Sequence, residues 1–441
     1  MVSILGIIIG LAVFIFLAYR GYNTIFAAII GSIIVALFDA QDPFTMLGDA
    51  FMTKASGFLK GYFMIFAFSA LFAKVMGDSA AAASIAIKVS RLARKAKSPL
   101  TARFMAVGAI PLVQLILTWG GVNVFVAVFI VVALARALFQ ELDVPWWLYS
   151  CSSLGSSTVT IGMLPGSIQI QNVIPTQYFG STPMAAPVLG ILSAVIALAL
   201  GYGYIWYQCN RTYKRSEGFL PTGTEIAKEK LIEPTVENEK PLWACLLPMI
   251  VLFVVLNVLK KSPVVSLTCA IVCGYVLYSI LEKKPMNVKA LFAGAIPMAV
   301  MPLVTVCCAS GFGGVVGAVS GFNTIVGSLS SLGVNAFTIV LIVNICSGIC
   351  GSASSGENIA LQNFSDLFIS TGIPGAQLHR LVAMSSIGLD TLPHCAGIIT
   401  MLSTTKLTHQ QAYINSFVLS VVLPIVMALF AAVMITAGFY L

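Results

Sequence analysis

The sequence predicts an all-α polytopic membrane protein built from two inverted-topology repeats, and three observations predict it. Charged residues make up 9% of the 441 positions against 59% hydrophobic ones, and the mean hydropathy is +0.97. A soluble domain carries about 25% charged residues, so the apolar excess belongs in lipid. Apolar runs of spanning length recur along the whole chain. Two of them are interrupted in mid-course by glycine and serine, one on each side of the single long polar segment.

The first half, residues 1–209, carries spans at 2–19, 24–38 and 58–76, a broken apolar stretch at 100–138, a broken span at 149–172 and a last span at 184–207. The first run has no basic leader and no small-residue cleavage site, so it reads as a span and not as a removable signal. Residues 210–240 hold six acids and six bases with Pro221 and Pro234, the composition of a polar linker. The second half, residues 241–441, repeats the order: spans at 242–259, 264–281 and 290–310, a broken stretch at 334–370, a broken span at 378–402 and a last span at 412–441. Lipid cannot satisfy the backbone groups that glycine and serine runs release, so 100–138 and 334–370 read as re-entrant helical hairpins. Leu164-Pro165 and Leu392-Pro393 follow the two hairpin tips at similar distances, as internal repeats would have it.

The charges orient the chain. Lys88, Arg91, Arg94, Lys95 and Lys97 follow the third span and mark that end as cytoplasmic. Counting spans then puts both termini outside and the linker inside, where Arg211, Lys214 and Arg215 agree. Lys54, Lys60, Lys260 and Lys261 fall on the opposite side from this rule. The basic cluster lacks interleaved aromatics, which excludes nucleic-acid binding. The ten cysteines show no extracellular pairing pattern and read as buried free thiols. Cys346 and Cys350 alone are too few ligands for a metal, so neither metal nor cofactor is expected.

Four segments carry candidate chemistry. At the first tip, Gly120 and Gly121 allow a tight turn, and Asn123 opens the second arm, whose N–H groups would face the tip. A helix N-terminus carries about half a positive charge and suits an anion; a glycine-mediated helix crossing is the plain alternative. The second tip offers Ser352, Ser354, Ser355 and Asn358, with Glu357 either near the outer surface or functional. Around the first break, Thr160, Pro165, Gly166, Ser167, Gln171 and Asn172 place hydroxyls and amides beside unwound backbone. Around the second, Asp390 and His394 share a helical face beside Thr391 and Pro393, the raw material of a proton relay or of a mutually satisfied structural pair. His379 and His409 lie at span ends and read as solvated. Few cations occur in these segments, which favours a monovalent anion over a tricarboxylate.

The segments Gly120-Gly121-Val122-Asn123-Val124-Phe125, Leu164-Pro165-Gly166-Ser167, Gln169-Ile170-Gln171-Asn172 and Gly388-Leu389-Asp390-Thr391-Leu392-Pro393-His394 resemble the gluconate permease family of bacterial organic-anion transporters, over nearly the whole chain. The later pieces resemble its hydroxybutyrate-carrying branch. The serines from Ser352 to Ser355 depart from the family pattern. The resemblance implies a proton-coupled secondary transporter, not an enzyme, in the bacterial inner membrane, moving a sugar acid or a short hydroxy acid such as 3-hydroxybutyrate. It also implies membership of the larger ion transporter superfamily, with a dimerising scaffold domain and a transport domain that moves as an elevator. Substrate would sit between the tips and the breaks, with Asp390, His394 or Glu357 carrying the proton. Sodium coupling remains open, as does a solute channel; a membrane-embedded hydrolase lacks its nucleophile motif.

Overall fold

A computed structural model of the chain describes residues 2–81, 84, 88, 91, 95–96, 98–119, 124–167, 169–228, 239–259, 261–330 and 333–440. Every regular element among the described residues is helical, and seven helices there are long and apolar enough to cross a membrane. This is a multi-pass membrane architecture.

Helices α1 (Val2–Tyr19) and α2 (Thr24–Phe38) keep the bounds read from the sequence. The Asn23 side chain accepts the Ile25 N–H at 2.9 Å and starts α2 directly after the turn. Helix α3 (Pro43–Asp78) begins well before the apolar run at 58, because Asp42 caps it by accepting the Thr45 N–H at 2.7 Å. Helices α4 (Pro99–Trp119) and α5 (Val124–Glu141) are the arms of the first broken stretch. A 3₁₀ turn, Trp146–Ser152, and a π-helical segment, Leu154–Met163, follow, then two short turns and α6 (Pro187–Lys214).

In the second half, α7 (Leu242–Phe253) ends in a π turn, and α8 (Pro263–Leu281) and α9 (Val288–Ala318) complete three spans. After α10 (Ser320–Ser330) come the hairpin arms α11 (Ala336–Cys350) and α12 (Ala353–Ile369). The second broken span is α13 (Gly375–Ser386), a 3₁₀ turn at Leu389–Thr391 and α14 (Ala396–Thr405), bent by 51°. Helix α15 (His409–Thr436) closes the chain and carries a π turn at Val418–Val422.

Two hydrophobic cores form. One joins α1, α2, α3 and α9 through Ile7, Phe14, Val35, Phe66, Leu303 and Phe312. The other gathers both hairpins, both breaks, α6 and α15 through Val107, Leu154, Val343, Phe364, Leu381 and Met427, and reaches α3, α7 and α8 through Val75, Leu252 and Tyr278. Helices α3 and α9 run antiparallel in close contact, Gly294 against Lys74 and Gly314 against Ala50 and Lys54. A Cβ at Gly314 would sit 2.6 Å from the Ala50 carbonyl oxygen, so this approach requires glycine. That packing explains why α9 runs past Ser310, the predicted end, to Ala318: the small residues there meet a neighbour and do not break the helix. Helix α4 packs on the π segment as α11 packs on α13, and α6 meets α4 as α15 meets α11. Ile191, Val195, Val272, Val276, Ile296 and Met301 point outward from the bundle, a surface suited to acyl chains.

The basic stretch beyond α3 is tied to the end of the linker. Glu239 pairs with Lys88 at 2.5 Å and Arg91 at 2.7 Å. The Lys88 hydrogen bond, helped by Arg91, holds the Glu239 carboxyl below its ordinary value.

Candidate functional site

The second hairpin reverses in two residues. Gly351, at φ +58°, ends α11 in the left-handed region, and Ser352 is extended and caps α12 by accepting the Ser355 N–H. The arms close tightly because Gly356 lies on Ser347, where a Cβ would meet backbone at 2.2 Å. The first amides of α12 therefore face the tip without helical acceptors. Gly120, Gly121 and Asn123 of the first tip lie outside the described residues. The chain leading to that tip is docked on the first break: Trp119 Nε1 donates to the Pro165 carbonyl at 3.2 Å, and Gln169 Nε2 donates to the Thr118 carbonyl at 2.7 Å.

The first break is held from the second half. The π segment ends at Met163, Leu164 is extended, and Gly166 takes φ +75°. Fully buried Arg380 spends five hydrogen bonds there, on the carbonyls of Gly162, Pro183 and Ala185 and on Asn172 Oδ1. Asn172 Nδ2 donates to the Ser167 and Pro183 carbonyls, so its Oδ1 is the acceptor for both Arg380 and His379 Nε2. His379 Nδ1 then accepts from the Ser181 hydroxyl at 2.7 Å.

The second break is held by Asn344, which accepts the Leu389 N–H at 3.1 Å, and by His409 Nε2, which donates to the Pro393 carbonyl at 2.8 Å. Both breaks also lean on the π turn of α15. Thr158 donates to the Leu419 carbonyl and Thr391 to the Ser420 carbonyl, each at 2.6 Å. A π turn leaves carbonyls available to outside donors.

Two joined cavities meet at the second tip. The outer, about 790 Å³, lies between α3, α9, α10 and the tip, with Asp49, Lys54, Asn323, Ser352, Ser354 and Ser355 among its polar lining. The inner, about 110 Å³, is lined by Ser157, Gln169, Gln171, Asp390 and Thr391 together with Ser352 and Ser354. Phe58, Tyr62, Gly351 and Ala396 line both. Asp390 is 7% exposed, its Oδ1 has no hydrogen-bond partner among the described residues, and the Ala353 and Thr391 amides face its carboxyl. Segments from the two halves of the sequence thus line one polar pocket in an apolar bundle.

No family model matches the chain. It is 31% identical over 461 aligned residues, covering 94% of its length and 95% of the relative's, to an uncharacterized transporter, YxjC, of Bacillus subtilis (strain 168). The chain belongs to this transporter family. It is a membrane transporter.

Within that transporter the sequence-based candidates divide. Gln171, Ser352, Ser354, Asp390 and Thr391 line the inner cavity, and Ser355 lines the outer. Thr160 turns inward to the Gly155 carbonyl, and Pro165, Gly166, Ser167 and Asn172 serve the break itself. Asn358 sits 3.5 Å from the Tyr178 hydroxyl, outside both linings. His394 is buried with Nε2 3.1 Å from the Gly348 carbonyl and its ring edge-on to Phe14 and Phe312, so it braces the tip from beneath Gly351. Glu357 is fully buried, and neither carboxyl oxygen has a hydrogen-bond partner among the described residues. The solvated reading of His379 and His409 is corrected: both are buried, because unwound backbone nearby supplies acceptors. Sequence reasoning missed Ser157, Gln169, Arg380 and Lys54. For Lys54 a signal existed, since it broke the charge rule in a helix otherwise suited to lipid.

Proposed function

We propose that the chain is a proton-coupled symporter of a small organic anion, a sugar acid or a short hydroxy acid such as 3-hydroxybutyrate, as its resemblance to gluconate permeases implies. The observation that carries the reading is the inner cavity, where a buried carboxyl with one oxygen unpartnered among the described residues, Asp390, shares one polar wall with both breaks and the second tip. Asp390 carries the coupled proton in this scheme. Protonation removes the charge that would repel an incoming carboxylate, and release of solute and proton restores it. Glu357, buried without a hydrogen-bond partner among the described residues, is the second proton candidate; His394 acts through the tip.

Residues 1–209 and 241–441 form two inverted repeats in this reading, with linker 210–240 cytoplasmic and both termini outside. The matching pairwise packing of the halves supports it. The scheme is an elevator, in which the hairpins and breaks move against a scaffold of α1–α3 and α7–α9 that pairs as a homodimer in the bacterial inner membrane.

Uptake of labelled 3-hydroxybutyrate and gluconate into proteoliposomes under an imposed pH gradient tests the proposal. Gradient-driven, saturable accumulation that Asp390→Asn abolishes is expected. Accumulation that follows a sodium gradient at constant pH would replace proton by sodium. Steady single-channel current with no accumulation would make the protein a channel.

A further inference from the structure

We infer that Lys54 binds the carboxylate of the transported solute, and that its cavity selects hydroxylated monocarboxylates over dicarboxylates. The inference rests on the organic-anion reading and supplies what that reading lacks, a cation. Lys54 is the one basic side chain lining either of the two joined cavities among the described residues. The residues that pair lysines elsewhere, such as Asp78 with Lys74, have no counterpart here: Lys54 has no ion pair or hydrogen bond among the described residues. Its stem lies against Gly314, where a Cβ would stand 2.5 Å from Lys54 Cγ, so the absence of a side chain on α9 makes room for the lysine beside the cavity. Cys350, the last residue of α11, lies within electrostatic reach of the ammonium.

Across the cavity stand Ser352, the cap of the 17-residue α12, and Ser354 and Ser355 in its first turn. Serine hydroxyls on one side and a lysine on the other make a two-sided anion cradle. The shared lining leads from there to Asp390, which is more than nine-tenths buried with one oxygen unpartnered and faces the inner cavity. The charge pattern sets the selectivity. Lys54 is a single positive charge, while Asp49 lines the outer cavity and Asp390 the inner. One carboxylate on the solute is matched. A second would lie against Asp49, the acid of the outer cavity, whereas solute hydroxyls can donate to Asp49 and the serines. The same solute would meet Lys54 first, at the end of α3 and α9 remote from Lys88 and Arg91, and Asp390 after the tip.

The test measures proteoliposome uptake of labelled 3-hydroxybutyrate by wild type, Lys54→Gln and Lys54→Arg. Unlabelled malate and 3-hydroxybutyramide are added as competitors, and gel filtration controls for folding. Loss of one charge-assisted contact is expected to raise KM about tenfold to a hundredfold in Lys54→Gln at little change in maximal rate, with Lys54→Arg close to wild type. Malate and the uncharged amide should compete at least about tenfold more weakly than the acid, a readout that needs no variant. Wild-type KM in Lys54→Gln, or amide or malate competing as well as the acid, overturns the inference while leaving transport standing. Absence of saturable uptake by the wild type sinks the anion-transport reading and the inference with it.

Discussion

Replacing Arg380 by methionine tests the claim that a residue of the second half holds open the break in the first. Methionine keeps much of the volume and removes all five donors. The Gly162 and Ala185 carbonyls then lose every hydrogen bond they accept among the described residues, because Gly162 lies in the last turn of the π segment and Ala185 precedes α6. Pro183 keeps the Gly166 amide and Asn172, so its loss is smaller. Each buried carbonyl left bare costs about 1–3 kcal/mol, which sums to about 2–6 kcal/mol for the two. Relief of the buried guanidinium offsets part of that, and a net loss of about 2 kcal/mol or more is expected. Lysine can reach only one or two of the same acceptors and should fall between. The assay is reversible unfolding of purified protein in mixed micelles, titrated with a denaturing detergent and followed by circular dichroism. A methionine variant within about 0.5 kcal/mol of wild type, the range of an ordinary surface substitution, refutes the reasoning.

Two further perturbations follow from the same packing and charge geometry. A Cβ at Gly155 would lie 1.9 Å from the Pro111 carbonyl oxygen, so Gly155→Ala must push α4 off the π segment; a loss at or above about 3 kcal/mol is expected in the same titration, and a near-neutral result would contradict the close crossing. The Lys88–Arg91–Glu239 clamp titrates with a depressed carboxyl, so its contribution is fully present above the ordinary value of 4.5 and is lost as the pH falls through the lower folded-state value. Proteolysis of the 210–240 linker should therefore accelerate on acidification and in high salt, and Glu239→Gln should be fast at every pH.

Much of the fold was legible because apolar runs bounded by turn and capping residues leave little choice. Helices α1 and α2 start and stop where Tyr19, Asn23 and Asp39 say they should. Both proline breaks were visible as Leu-Pro beside hydroxyls. Other features depend on partners distant in sequence. Arg380 falls inside the broken span read at 378–402, yet its role was not legible, because its acceptors are carbonyls that only the first break exposes. The small residues from Gly311 to Ala318 read as the end of a span, yet they meet α3 face to face. In the candidate site, Asp390 and the tip serines were legible as polar groups at depth. His394 was legible as polar but not as a brace, since nothing local shows that Phe14 and Phe312 close over it.

The π turn of α15 receives one threonine hydroxyl from each break, on carbonyls that are neighbours in the chain. A single extra residue in one helix therefore rivets two otherwise separate discontinuities to a common post. Sliding one discontinuity past the other would tear a bond from that post, so the pair is built to travel as freight on the same carriage.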